Sequence, residues 1–215
     1  ELDPGIYEYR DLYRFSIEHP RQFWRAVWDF CGIVGKPGLT VVEDFDRFPG
    51  ARWFPQARLN FAENLLRHRD ERPALVFRSE TGQGYEYSHS ELYSAVARTA
   101  EALRSAGVQS GDRVAGFMPN LPETAIAMLA ATSIGAIWSS CSPYFGIVGG
   151  VERCVQIQPK VLFCAAAYSS NGKTHDCIDK VRGIVDAIDS ITQTVVVTGR
   201  QYLQYVIRQH VDDPP

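Results

Sequence analysis

The stretch of residues 111–146 constrains the fold most, because its pattern indicates a strand, a capped helix, a second strand and then a turn-rich loop. Residues 113–118 form a short apolar run, which is typical of a strand buried on both faces. Asn120 is a candidate helix cap, and Pro122 suits the first helical turn. Glu123 would place a carboxylate at the positive end of the same helix. The pattern therefore predicts a helix that starts just after a buried strand.

The second half of this stretch predicts the end of the helix and a place for a ligand. Gly135 can end the helix in a left-handed conformation, and residues 136–140 then return as the next strand. Residues 141–150 follow as a loop at the carboxyl end of that strand. In open α/β sheets, ligands bind at this end of the strands.

The alternation of strands and helices continues along most of the chain. Ser88 and Glu91 form a capping box that starts a long helix, and Gly107 closes it. Further elements are predicted as strands at residues 74–78, 85–87, 160–165 and 194–197, and as helices at residues 151–157 and 174–188. Residues 201–215 are expected to form a helix and a frayed tail. Together the elements predict an α/β fold, a layered and mostly parallel sheet with helices on both faces.

The first 50 residues have a different character and predict a helical extension. Residues 11–19 and 20–31 favour two short helices, and the second carries an aromatic face with Phe23, Trp24 and Trp28. An aromatic face of this size needs a partner. We expect it to pack on the main domain, and the alternative is a non-catalytic interaction domain that binds another protein through this face.

The charge balance and the cysteines limit the class of protein. The 215 residues carry 22 lysines and arginines against 25 aspartates and glutamates, a formal net charge of −3. This balance gives no electrostatic support for binding nucleic acid or a membrane surface. The five cysteines are scattered without CxxC spacing, which predicts reduced thiols in a cytoplasmic protein. The first residues do not resemble a signal peptide, and no apolar run approaches about 18 residues.

Residues 167–174 are similar to a phosphate-binding loop, because they differ from the pattern G-x-x-x-x-G-K-[ST] only by Ala167 in place of the first glycine. In such a loop, backbone N–H groups and a lysine surround phosphate oxygens at the start of a helix. Gly172 and Lys173 would take these roles. Three interpretations stay open: a nucleotide-hydrolysing loop, a solvated turn, and a phosphate contact of another kind.

No catalytic residue and no metal ligand is predicted in this chain. The serines between residues 139 and 142 follow a strand but lack the pattern G-x-S-x-G. Cys141 suits a small buried filler better than a reactive thiol. His175 lies beside acidic residues at a predicted helix start, which favours charge complementarity with the helix over metal binding.

Three segments, one of them the end of the central stretch, carry a resemblance to a known family. They are RWFPQARLNFAENLL at residues 52–66, GAIWSSCSPYFG at residues 135–146 and QIQPKVLFCA at residues 156–165. With the central stretch they resemble the adenylate-forming acyl-CoA synthetases, and within these the acetoacetyl-CoA synthetase subfamily. The resemblance covers roughly residues 20–198. It implies a two-step ligase reaction, in which ATP with Mg²⁺ activates acetoacetate as an adenylate and CoA then displaces AMP.

The resemblance also implies contacts with CoA. In related acetyl-CoA synthetases, two arginines meet the nucleotide end of CoA, and their positions fall near Ser170 and Lys173. Lys173 keeps the positive charge, whereas Ser170 does not. A glycine pair of the same relatives falls near Pro143 and Tyr144, which is a second departure. The predicted cofactor-binding residues are therefore Pro143, Ser170, Gly172 and Lys173.

Other parts of the family pattern match no residue of this sequence. They are the Ser/Thr/Gly-rich loop, the adenine-binding motif, the ribose-binding aspartate and the mobile C-terminal domain. We therefore expect a helical extension over residues 1–50 and, over residues 51–215, an incomplete N-terminal α/β subdomain of the large domain of an adenylate-forming enzyme. Its expected partners are small-molecule substrates and the remaining part of the enzyme, and the chain alone is expected to lack ligase activity. An unfinished sheet also predicts self-association.

Overall fold

The chain divides into two compact units between Asn64 and Leu65. The computed structural model describes residues 5–80, 82, 84–198 and 203–204. The first unit contains the elements α1 (Tyr9–Glu18), α2 (Pro20–Phe30), β1 (Gly35–Lys36), β2 (Val42–Glu43), β3 (Arg52–Trp53) and β4 (Arg58–Leu59). Helix α3 (Phe61–Leu65) spans the division. The domain boundary expected at residue 50 stays a prediction.

The aromatic face of α2 packs against other aromatic residues of the first unit. Pro20 is the first residue of the helix, as its fixed φ predicts. The ring centroids of Trp24 and Trp53 are 5.6 Å apart, and those of Trp28 and Phe54 are 5.0 Å apart. Both tryptophans therefore have aromatic partners within their own unit.

The second unit alternates strands and helices. Its elements are β5 (Pro73–Arg78), β6 (Gly84–Ser88), α4 (His89–Ser105), β7 (Arg113–Phe117), α5 (Pro122–Ser133), β8 (Ile137–Cys141), a 3₁₀ turn (Pro143–Phe145), α6 (Gly146–Ile157), β9 (Val161–Ala165), β10 (Ala167–Ser170), β11 (Lys173–Asp176), α7 (Ile178–Asp186), β12 (Gln193–Val197) and β13 (Leu203–Gln204). Strands β5 and β6, at two of the predicted strand positions, pair antiparallel as a hairpin. None of the helices in the described residues combines the length and apolar character that crossing a lipid bilayer requires.

The main sheet has the strand order β13-β12-β9-β7-β8. Strands β12, β9, β7 and β8 run parallel, and β13 pairs antiparallel with β12. This arrangement confirms the predicted mostly parallel sheet. The chain places β8 on one side of β7 and then crosses to β9 and β12 on the other side. The direction of winding therefore reverses between β7 and β9.

Helices cover both faces of this sheet. On one face, α6 and α7 pack over a buried cluster that includes Phe117, Leu162 and Ile184. Successive strand residues point to opposite faces, so Phe163, which is also buried, lies on the face of α4 and α5. There the Trp138 ring lies 6.1 Å from the Phe163 ring. The central strands β7 and β9 thus contribute buried side chains to the core on both faces of the sheet.

The ends of the helices test the predicted caps. The Ser88–Glu91 capping box is present, with a Glu91 N–H to Ser88 Oγ distance of 3.2 Å and a Ser88 N–H to Glu91 Oε2 distance of 2.9 Å. Gly135 ends α5 with φ +78°, as predicted. The cap predicted at Asn120 is wrong, because α5 begins at Pro122 with Leu121 in the cap position and no side-chain cap.

The region after β9 differs most from its prediction. The helix expected to begin at residue 174 begins at Ile178, because residues 167–176 pair as the hairpin β10–β11. The prediction for residues 201–215 lies outside the described residues, except that Leu203 and Gln204 form strand β13.

Candidate functional site

A groove of about 560 Å³ opens at the carboxyl edge of the main sheet. Residues after β7, β9 and β12 line it, among them Asn120, Ala166 and Thr198. The winding of the chain reverses between β7 and β9, and such a reversal opens a crevice where open α/β sheets bind ligands. The groove therefore lies at the position that the fold itself favours for a ligand.

The hairpin β10–β11 forms one wall of the groove. Its two central residues, Asn171 and Gly172, have φ angles of +52° and +71°, and Ser170 pairs directly with Lys173 across the turn. Two successive positive φ angles in a two-residue loop are typical of a type I′ turn, for which Asn-Gly is a preferred sequence. Ser170 is buried at 7% exposure, while Gly172 and Lys173 are exposed at the tip.

This geometry excludes the nucleotide-hydrolysing loop as an interpretation of residues 167–174. In that type of loop the lysine stands at the start of a helix, whose N–H groups point at the phosphates. Here Lys173 is the first residue of strand β11, and the next helix begins only at Ile178. The hairpin forms instead because the residues around Asn171 and Gly172 satisfy a strand-turn-strand pattern. A phosphate contact of another kind stays compatible with the turn.

A carboxylate accepts a hydrogen bond from a backbone N–H at the tip of the hairpin. The N–H of Gly172 donates to Oε2 of Glu80 at 3.4 Å. Glu80 follows β5 and lines the groove with Arg78 and Ser79, across from the residues of β10 and β11. The Glu80 oxygen therefore marks a place where an anionic oxygen meets a backbone N–H beside the exposed charge of Lys173.

An aromatic column joins the hairpin to the 3₁₀ turn. The Tyr144 ring lies 4.9 Å from the Tyr168 ring, and Tyr168 stacks on His175 at 5.0 Å with an interplanar angle of 19°. The ammonium of Lys180 lies 5.7 Å from the centre of the Tyr168 ring and donates to the carbonyl oxygen of Pro143 at 3.5 Å. Burial raises the pKa of the Tyr168 phenol, and nearby Cys177 and Tyr144 raise it further, so the phenol stays protonated at neutral pH.

Three of the four predicted site residues therefore lie close together, and the fourth is connected to them indirectly. Ser170, Gly172 and Lys173 share one hairpin, and Pro143 is linked to that hairpin through Lys180 and the aromatic column. The Pro143 side chain is fully buried, so it shapes the turn and offers no surface to a ligand. Tyr144, next to it, lines the groove and is 63% exposed.

Backbone hydrogen bonds fix the hairpin to the sheet. The Ala166 N–H donates to the carbonyl oxygen of Val197 at 3.0 Å, and the Cys177 N–H donates to that of Ala166 at 2.8 Å. Cys177 is fully buried in the cluster beneath α7, and burial raises the pKa of its thiol. The base of the hairpin is therefore rigidly placed relative to β9 and β12, whereas its tip is solvent-accessible.

A buried carboxylate lies at the start of α5, just after the groove residues Asn120 and Leu121. Glu123 is 5% exposed, and the Tyr85 hydroxyl donates to its carboxylate at 3.0 Å from Oε1 and 2.9 Å from Oε2. The charge lies in the first turn of the helix, where the N–H groups favour an anion. Glu123 thus holds the start of α5 against the β5–β6 hairpin.

A second cavity of about 270 Å³ lies between β7, β8 and α6. Cys141 and Cys154 line it together with Arg153. Burial, with a smaller contribution from the neighbouring Cys141, raises the pKa of Cys154 to about 11. Burial also raises the pKa of Cys141, and the nearby Arg153 guanidinium offsets part of that rise. At neutral pH both groups are therefore thiols, which are poor nucleophiles.

Sequence reasoning missed Glu80 and Tyr168 as parts of the site. A usable signal for the hairpin was the Asn171-Gly172 dipeptide, which is a strong short-range indicator of a two-residue hairpin turn. The contact between Glu80 and Gly172 joins residues that are 92 positions apart, and no local pattern reports it.

Comparisons with known proteins agree with this architecture. A family model described as AMP-binding enzyme matches residues 61–214, and one described as acetyl-coenzyme A synthetase N-terminus matches residues 9–65. An acetoacetyl-coenzyme A synthetase of Rhizobium meliloti (strain 1021) is 44% identical over 192 residues, which cover 89% of this chain and 30% of the relative. A malonamoyl-CoA synthetase, vrtB, of Penicillium aethiopicum is 39% identical over 197 residues, which cover 88% of this chain and 27% of the relative.

A solved structure, the acetoacetyl-CoA synthetase from Streptomyces lividans, superposes with a TM-score of 0.84 at 36% sequence identity. The match covers 90% of this chain and 30% of that one. The chain thus spans about a third or less of the length of the relatives that it matches.

Proposed function

The chain belongs to the family of AMP-binding enzymes, and from that premise we propose that it is part of an AMP-forming acid–thiol ligase. The complete enzyme joins acetoacetate to CoA in two steps. A carboxylate oxygen of acetoacetate first attacks the α-phosphorus of ATP, which forms acetoacetyl-adenylate and releases pyrophosphate. The CoA thiol then attacks the acyl carbon, which forms the thioester and releases AMP. The family match over residues 61–214 carries the proposal.

The names of the relatives support the choice of acid. The Rhizobium and Streptomyces proteins are named for acetoacetate, and the Penicillium protein is named for malonamate. These two acids share a carbonyl group one methylene away from the carboxylate, and they differ by an amide nitrogen in place of a methyl group. The substrate class is therefore a small carboxylate with a carbonyl group at position 3. We assign acetoacetate, and a comparison of kcat/KM for the two acids in the complete enzyme tests that choice.

We assign the hairpin tip to a phosphate of CoA. Two observations support this assignment: the exposed ammonium of Lys173, and the N–H of exposed Gly172, which already donates to an anionic oxygen, that of Glu80. Ser170 is buried opposite Lys173 and holds the strand pair, and Pro143 holds the turn that presents Tyr144. The residues present therefore suit an anionic group.

The same reaction requires ATP and Mg²⁺, and we assign neither to a residue of this chain. Among the residues that the structure describes, no three histidine, cysteine or carboxylate side chains converge as a metal site. We assign the steps that involve these groups to other parts of the ligase, with which this chain acts as a partner, because the chain spans 30% of the length of its Rhizobium relative. We place the enzyme in the cytoplasm, because all five cysteines of this chain are free thiols.

A substitution at Lys173 in the complete enzyme tests the proposal. Lys173→Ala removes a charge-assisted contact to phosphate, which is worth about 1.5 kcal/mol, and should raise the KM for CoA roughly tenfold. Adenylate formation, measured as acetoacetate-dependent exchange of pyrophosphate into ATP, should not change. Lys173→Arg keeps the charge and should restore most of the affinity for CoA.

A matched control separates a local effect from a general loss of positive charge. Arg104 is exposed in the last turn of α4, which leads to the amino edge of the sheet, opposite the groove. Arg104→Ala should leave both kinetic constants unchanged. An unaltered KM for CoA in Lys173→Ala would remove this residue from the site. Absence of any acetoacetate-dependent pyrophosphate exchange in the wild-type complete enzyme would refute the ligase itself.

The isolated chain provides a further control. The 215 residues alone should show no acetoacetate-dependent pyrophosphate release, because the proposed adenylation residues belong to the rest of the enzyme. Release of pyrophosphate by the purified chain would show that adenylation requires only residues within it.

A further inference from the structure

The contact between Glu80 and Gly172 has a chemical consequence for any anion that binds at the hairpin tip. The Gly172 N–H carries one hydrogen, and Oε2 of Glu80 accepts it at 3.4 Å. A ligand oxygen that uses the same donor must therefore displace the carboxylate. Both Glu80 and Gly172 are exposed, so the exchange requires no rearrangement of the core.

The neighbouring charge stays available while this N–H is occupied. In the described part of the chain, no carboxylate lies within ion-pair distance of Lys173, although Glu80 reaches the residue next to it. The tip thus combines one positive charge that is free to attract an anion with one backbone donor that the protein already occupies. An incoming phosphate is attracted by the first and repelled by the carboxylate at the second.

We propose that Glu80 lowers the affinity of the hairpin tip for CoA, because its negative charge competes with a CoA phosphate for the Gly172 N–H. This inference rests on the proposed ligase function. The carboxylate weakens the binding of every anion at the tip, and it weakens the binding of a more highly charged anion more. CoA carries a terminal phosphate monoester that dephospho-CoA lacks, so the repulsion acts more strongly on CoA.

Two substitutions in the complete enzyme test the proposal. Glu80→Gln removes the charge and keeps an acceptor oxygen, while Glu80→Ala removes both. Interactions between exposed charges are worth about 0.2–1 kcal/mol each, and the phosphate monoester carries up to two charges, so both variants should lower the KM for CoA about two- to thirtyfold. The KM for dephospho-CoA should fall by a smaller factor, and adenylate formation should stay at the wild-type rate. The difference between wild type and variant should also shrink as the salt concentration rises, because exposed charges are screened.

The control is Glu101→Gln, which changes the net charge equally at an exposed position on α4 near the amino edge of the sheet. It should leave the KM for CoA unchanged. A KM for CoA that is unchanged or raised in either Glu80 variant would overturn the proposal, as would equal effects on CoA and dephospho-CoA.

Failure of this inference can be distinguished from failure of the proposed function. A wild-type complete enzyme without CoA-dependent AMP release refutes the ligase. An active wild-type enzyme in which Lys173→Ala weakens CoA binding, but Glu80→Gln does not strengthen it, refutes only the role of Glu80.

Discussion

Gly116, at the centre of the sheet, should not tolerate a side chain. A Cβ atom added there would lie 2.7 Å from Cζ2 and 2.8 Å from Cη2 of Trp138. Ordinary carbon–carbon contacts are about 3.5–4.0 Å, so the indole ring would have to move by roughly 1 Å. The ring has little room to move, because it also lies 6.1 Å from the buried Phe163 ring. Gly116→Ala should therefore destabilise the second unit.

The expected size of the effect follows from measured overpacking. Extra methyl groups in well-packed cores cost about 1–3 kcal/mol, and the removal of a glycine from a strand returns less than about 1 kcal/mol. We expect a net loss of roughly 1–2 kcal/mol in the free energy of unfolding. Trp138 is the only one of the four tryptophans in the second unit, and in a chain with phenylalanine at the other three positions its fluorescence reports the urea midpoint of that unit.

A second glycine provides the control for this measurement. Gly183 lies in α7, where an added Cβ would meet Cγ2 of the exposed Ile147 side chain at 3.1 Å and where alanine favours the helix. Gly183→Ala should change the midpoint little or raise it. Variants with Trp138→Leu lack the fluorescent reporter, so their urea midpoints are followed by circular dichroism. In that background the penalty of Gly116→Ala should shrink, because the smaller side chain removes the clash. A full penalty in the double variant, or no penalty in the single one, would refute the reasoning.

Two further predictions concern buried and paired carboxylates. Tyr85→Phe should lower the free energy of unfolding by about 1.5–3 kcal/mol, because the buried Glu123 carboxylate loses its hydroxyl donor. Urea denaturation at pH 7 measures this loss. An unchanged midpoint would show that solvent replaces the donor. Two hydrogen bonds lower the pKa of Asp112 below its usual value of 3.8, the larger effect from the Gln109 N–H and the smaller from the Lys160 ammonium. The contribution of ionised Asp112 to stability is therefore complete above pH 3.8 and is lost as the pH falls through the lowered pKa. Asp112→Asn should therefore flatten the decline in stability below about pH 4, and an acid denaturation profile equal to that of the wild type would contradict this origin.

Local signals in the sequence were sufficient for the framework of the second unit. The Ser88–Glu91 box and the left-handed Gly135 were predictable, because each depends on residues within a few positions of one another. The parallel sheet was predictable for a similar reason, since short apolar runs alternate with amphipathic segments. The start of α5 was not predictable. Asn120 offered a cap, but the helix begins at Pro122, and the buried Glu123 of its first turn is held by Tyr85, which is 38 residues away.

The candidate site was less predictable than the fold around it. Lys173 and Gly172 were singled out, but as part of a loop that enters a helix, and their true place on a hairpin changes the chemistry that they can perform. A helix start would direct several N–H groups at one phosphate, whereas the turn offers the single N–H that Glu80 now accepts. Long-range contacts of this kind are set by tertiary packing and leave no periodic trace in the sequence.

The position of the hairpin also determines how its variants can be interpreted. Its base is fixed by the hydrogen bonds of Ala166 and by the buried Cys177, and its turn is shaped by Asn171 and Gly172 through their backbone angles. The side chain of Lys173 contributes to neither, because it is exposed at the first position after the turn. Replacing it therefore removes a charge without removing a structural contact. A change in CoA affinity in Lys173→Ala can accordingly be assigned to electrostatics at the tip, and its restoration in Lys173→Arg distinguishes the charge from the particular shape of the lysine.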